Sequence, residues 1–154
     1  MQTDSPARAM TADMAGFDRH AALAALYDRN IDMNRGFATM VEKADPAFRD
    51  TAERFRALHA RHADMLARLL SDLGVDASPD GTLMGAVHKA VISVRAFFDD
   101  IDQDVMDQIR TGEASLMQAY DDAIVESTSH GFMSTLQTMQ ADVQAELTAT
   151  QHLG

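Results

Sequence analysis

The residues with the widest chemical reach are the two histidines of His59-Ala60-Arg61-His62. Side chains three apart on a helix share a face, so both imidazoles would enter one interior if that face turns inward. Imidazole nitrogens bind transition metals, carry protons or hydrogen-bond polar neighbours. Glu113, flanking an apolar stripe between Ile109 and Leu116, is the carboxylate best placed to join them. His59, His62 and Glu113 together supply two nitrogens and a carboxylate, a set that suits one Zn²⁺ or Fe²⁺. Asn30, Asn34 and Gln140 fall on helices that would face the same interior. With them the alternative is a buried polar layer, in which imidazoles and amides pair with one another and hold the helices in register.

A two-iron centre asks for more. It takes a Glu from each of two helices and a Glu-x-x-His from each of the other two. The last apolar segment offers Gln137, Gln140 and Gln144, with no inward Glu-x-x-His. A single core carboxylate stands where about four are needed, so di-iron oxidase chemistry is not expected and no catalytic residue is assigned. His88, in Val87-His88-Lys89-Ala90, raises a different chemistry, histidine phosphotransfer on a helical bundle. Domains of that kind carry a Lys three residues after the His and then a Gly, where this chain has Val91 and Ile92. A packing or capping histidine is the plainer reading. The acidic run Asp99 to Asp104 lacks the glycine and terminal Glu of an EF-hand loop, and Asp102 or Asp104 reads as a helix cap.

The elements that must position these residues are helices. The apolar 46% of the 154 residues is skewed toward Ala, Leu and Met, with no Trp, and those are strong helix formers. A first helix is expected from about Asp18 to Lys43, with Leu23, Tyr27, Asn30, Asn34, Phe37, Val41 and Ala44 inward. A second is expected from Pro46, with Asp45 as N-cap, to Leu73, closing on Gly74. Its inward stripe is Phe48, Ala52, Phe55, His59, His62, Leu66, Leu69 and Leu73. A shorter helix over about Leu83 to Phe98 follows the loop signal around Pro79. A further helix runs from about Asp102 to Ser127, with Met106, Ile109, Leu116, Tyr120 and Ile124 inward, and the last carries Phe132, Leu136, Met139, Val143 and Leu147. Short connections after the first and the fourth of these imply antiparallel hairpins, and the long segment between them fits a crossover; an up-down bundle with one extra helix is the alternative that pattern leaves open. The expected fold is all-α: a ferritin-like four-helix bundle of two antiparallel hairpins with a short extra helix in the crossover. Gly36 and Gly112 lie inside helices, where close helix approach would explain them.

The chain also resembles a bacterial family of ferritin-like four-helix proteins classed as a domain of unknown function. The segments that carry the resemblance are Asp32-Met33-Asn34-Arg35-Gly36-Phe37, Asp45-Pro46-Ala47-Phe48 and Leu73-Gly74-Val75-Asp76. Gly81-Thr82-Leu83-Met84-Gly85-Ala86-Val87-His88-Lys89, Arg110-Thr111-Gly112-Glu113-Ala114 and Ala119-Tyr120 complete the series. The resemblance implies the ferritin-like fold and no particular activity. Such proteins usually have an acidic residue before the Gly-aromatic pair, where this chain has Asn34 and Arg35.

Charge and composition bound the partners. With 13 basic and 24 acidic residues the net charge is −11, which repels nucleic acid and anionic lipid. No cysteine is present, which excludes thiolate metal sites and Cys nucleophiles. Residues 1–16 lack a basic stretch followed by an apolar one, and no apolar run approaches a membrane span, so the cytoplasm is the expected location. A loose tail over 1–17 and one domain over 18–152 are expected. The functional expectation is a non-catalytic accessory or stress-associated protein, a homo-oligomer (a dimer), with a degenerate metal site. Its rivals are a mononuclear Fe or Zn protein with weak oxidase chemistry, and a phosphotransfer bundle acting through His88.

Overall fold

The computed structural model describes residues 20–77, 101–128 and 130–154. Four long helices pack against one another: α1 (Ala21–Lys43), α2 (Pro46–Asp72), α3 (Met106–Glu126) and α4 (Met133–Ala149). A 3₁₀ turn, Gln103–Val105, leads into α3. The expected helix over Leu83 to Phe98, with His88, and the expected tail over 1–17 lie outside the described residues.

Local chemistry sets the ends. The Asp45 carboxylate accepts from the Phe48 amide at 3.0 Å, and Pro46 takes the first position of α2. At its other end Gly74 adopts φ 76°, Gly74 donates to the Ser71 carbonyl at 3.0 Å, and Val75 donates to the Leu70 carbonyl at 2.8 Å. That pair of bonds is a Schellman closure, and it tucks Val75 into the core. Asp102 accepts from the Asp104 amide at 2.9 Å, so it caps the 3₁₀ turn, and α3 proper starts four residues later than the expected Asp102. The start of α1 borrows its cap from another helix: Glu126 accepts from the Ala22 and Leu23 amides at 3.1 and 3.3 Å.

Contacts fix the helix directions. Along α1, Phe37 stacks on Phe55 and Asn30 meets His59, so α1 and α2 run antiparallel. Gln140 meets Met117 and Asp121, whereas Arg110 reaches Leu153, so α3 and α4 are antiparallel too. His59 contacts Glu113 and His62 contacts Tyr120, which makes α2 and α3 parallel. Two helices running the same way need a connection that returns along the bundle. Val75 packs with Leu70 at one end, and Ile101 pairs through its backbone with Lys43 and Asp45 at the other. Residues 77 and 101 therefore stand at opposite ends of α2, about 40 Å apart for a helix of this size. Two antiparallel hairpins joined by one long crossover is the arrangement.

The apolar interior is divided. One cluster gathers Leu23, Leu26, Tyr27, Leu66, Leu70, Leu116, Leu136, Met139 and Val143. The other gathers Phe37, Phe48, Phe55, Ile101, Val105, Met106 and Ile109. Between them lie Asn30, His59 and Glu113. The periodic stripes meet this core with small shifts. Met40 is buried where Val41 is half-buried, Leu70 where Leu69 and Leu73 are half-buried, and Ala123 where Ile124 is half-buried. Gly112 does not mark a close approach. A methyl there would meet the Met33 Cε at 3.9 Å, an ordinary contact.

Candidate functional site

The division of the core is a chain of polar side chains, buried on α1, α2 and α3 and reaching solvent at Asp142 on α4. Asn30, His59, His62, Glu113 and Tyr120 are each 0% exposed. Its order follows from what each atom can donate. Asn30 Nδ2 donates to the Leu26 carbonyl one turn back at 3.0 Å, which leaves Asn30 Oδ1 facing the His59 Nδ1 at 3.1 Å. An amide oxygen only accepts, so His59 must carry a hydrogen on Nδ1. Its other nitrogen, Nε2, meets Glu113 Oε1 at 2.8 Å. A bare imidazole lone pair facing a carboxylate would repel it, so one proton is shared across that contact. Phe37 stacks on the His59 ring at 5.6 Å and 12°, which fixes its plane from the apolar side.

The second imidazole belongs to a separate branch. The Tyr120 hydroxyl lies 2.7 Å from His62 Nδ1, and His62 Nε2 lies 3.4 Å from Asp142 Oδ2. Burial holds the Tyr120 phenol above its ordinary range, with the carboxylates of Glu113 and Asp142 adding to the effect and the Asn30 amide opposing it. The phenol therefore keeps its proton and donates it to His62 Nδ1. Burial likewise lowers His62 to about 4, against an opposing pull from Asp142. Neutral His62 thus carries its hydrogen on Nε2, aimed at Asp142. The Asp142 side chain is 46% exposed, so this branch ends at solvent on α4.

The residues singled out from sequence are distributed as follows. His59 and Glu113 touch; His62 sits one turn further on, turned toward Tyr120 and Asp142. Asn30 joins His59. Asn34 is half-buried, and its Oδ1 is enclosed with no hydrogen-bond partner. Gln140 lies on the α3–α4 face, donating to the Met117 carbonyl at 3.3 Å and to Asp121 at 2.7 Å. Among the described residues, no three His, Cys, Asp or Glu side chains are grouped to hold a metal ion. Glu113 Oε2, likewise enclosed and without a partner, leaves this carboxylate with unused capacity to bind.

Tyr120 and Asp142 are the partners that residue type and spacing did not reveal. Tyr120 fits the inward stripe as an apolar ring, yet a buried phenol usually finds a polar partner. That requirement was the available signal. Asp142, beside inward Val143, reads as solvated charge. A cleft of about 230 Å³ lies away from this chain, at the α1–α2 turn, lined by Asp45, Phe48, Asp102, Gln103 and Leu153. No helix among the described residues is long and apolar enough to cross a membrane.

Compared with known proteins, the chain matches the model of a family described as "Domain of unknown function (DUF2383)" over residues 18–126. That span holds α1, α2 and α3, and every residue of the buried polar chain except Asp142. No curated protein and no solved structure gives a match.

Proposed function

The chain belongs to the DUF2383 family, and within it we propose a non-catalytic accessory protein, a ferritin-like bundle whose metal-ligand layer has become a structural polar core. The observation that carries this reading is that all four ring nitrogens of His59 and His62 already have side-chain partners. A metal ligand must present a free lone pair, and here each nitrogen faces a hydrogen-bonding atom of the protein. The polar layer instead ties α1, α2, α3 and α4 to one register. A helix sliding by one turn would bury Asn30, His59 or Glu113 against hydrocarbon unpaired, at a cost of several kcal/mol.

The test is metal-free stability. In the presence of chelator, His59→Ala should unfold at clearly lower denaturant than the wild type. Equal stability of the two in chelator would remove the structural role.

A second reading, a mononuclear site at His59 and Glu113, is favoured by one observation, the unpartnered Glu113 Oε2. Its support includes the Asn30 contact, since metal-bound histidines usually have their second nitrogen held by such a partner. On this reading a cation replaces the proton between His59 Nε2 and Glu113. Stoichiometric Zn²⁺ or Fe²⁺ that disappears in Glu113→Gln would establish it; metal content independent of Glu113 would dismiss it.

A further inference from the structure

At the end of the bundle where α1 begins, a second histidine pair stands apart from the buried chain. His20 immediately precedes α1, and His130 lies in the turn between α3 and α4. Their ring centres are 5.4 Å apart with the planes at 61°. Both rings are half-buried, hence reachable from solvent.

Each is held by its surroundings. The His20 carbonyl accepts from Ala24 at 2.9 Å, and the His130 amide donates to the Ser127 carbonyl at 2.8 Å. Phe132 stacks on His130 at 5.0 Å and 16°. Glu126, bonded to the Ala22 and Leu23 amides, brings the end of α3 against the start of α1.

We infer that His20 and His130 form a surface site for one divalent transition-metal ion of the Zn²⁺ and Cu²⁺ class. The spacing is what that chemistry needs. Two imidazoles on a tetrahedral Zn²⁺, with Zn–N bonds of about 2.0–2.1 Å, hold their ring centres about 5 Å apart. The observed 5.4 Å between the ring centres is close to that separation. Imidazole suits these ions, and the acidic chain, at −11, draws cations to its surface. No third His, Cys, Asp or Glu completes the set among the described residues, so water fills the remaining positions.

The ligands come from segments 110 residues apart in sequence (130 − 20). A bound ion consequently staples the start of α1 to the α3–α4 turn and stabilises the folded chain by mass action. The site shares no residue with the buried polar chain and does not depend on how that chain is read.

The experiment is a Zn²⁺ titration of the tag-free full chain, read by calorimetry and by thermal melting. His20→Phe and His130→Phe keep an aromatic ring in each place and remove the ligating nitrogens. The wild type should bind one equivalent at this site, with a melting temperature raised by roughly 5–10 °C at about a hundredfold excess over Kd. Each Phe variant should lose at least tenfold in affinity and most of that rise, whereas His88→Gln and His152→Gln should retain both. Cu²⁺ should bind more tightly than Zn²⁺. Unchanged Zn²⁺ affinity in both Phe variants, loss in His88→Gln or His152→Gln instead, or no melting shift at saturation would each overturn the inference.

Discussion

At the scale of the residue, the buried polar chain makes unequal demands on its members. Glu113 can be replaced by an amide with little loss, because a Gln Nε2 can donate to His59 Nε2 while Asn30 still receives the Nδ1 hydrogen. Glu113→Gln should therefore change unfolding free energy by less than about 1 kcal/mol, whereas Glu113→Ala strands the imidazole and should cost about 3 kcal/mol. Urea unfolding of the two variants compares them directly. His62 makes a different demand. Its folded value of about 4 lies below the ordinary 6.5, so the unfolded chain takes up a proton first as the pH falls. Stability from this group is complete above pH 6.5 and declines from there to about pH 4, by roughly 3 kcal/mol in all. In His62→Gln that part of the pH profile should flatten, as stability measured from pH 7 to 4 will show. Spacing alone placed His59, His62, Asn30 and Glu113 in or beside the interior. It did not divide them into two branches, because helical period assigns a face and leaves rotamer and partner open. Tyr120 and Asp142 escaped for the same reason: a phenol counts toward an apolar stripe, and an acid beside one counts as surface.

The elements respond to changes at their ends and along their axes. Asp45 caps α2 through the Phe48 amide, and Asp45→Ala should cost about 1 kcal/mol in a thermal melt. Gly112 offers a change of the opposite sign. It sits inside α3 with room for a methyl against Met33, so Gly112→Ala should stabilise the chain by roughly 0.5–1 kcal/mol. A loss of stability there would mean that α1 and α3 approach more closely than a methyl allows. Helix positions were well marked in the sequence by Asp45-Pro46, by Gly74 and by the long apolar periods. The start of α1 was less so, since its cap is Glu126, more than a hundred residues away, and no local pattern encodes a cap lent by another helix. The entry to α3 shows a related effect. Asp102 does cap, as its position suggests, but what it caps is a 3₁₀ turn, and the α-helix begins only at Met106.

Taken whole, the described residues form two apolar clusters joined across a polar layer, with α2 and α3 parallel and the end of α2 and the entry to α3 at opposite ends of the bundle. Helix and connection lengths pointed to hairpin, crossover and hairpin but left an up-down bundle open. Their directions were settled only by which side chains meet. On the proposed function this layer is structural and needs no metal. A double-mutant cycle on His59→Ala and Glu113→Ala, by urea unfolding with chelator and again with Zn²⁺ or Fe²⁺, tests it most directly. The expected coupling energy is about 1–3 kcal/mol in chelator, unchanged by metal. Coupling that vanishes in chelator and returns only with the added ion would contradict it, and would make His59 and Glu113 ligands instead.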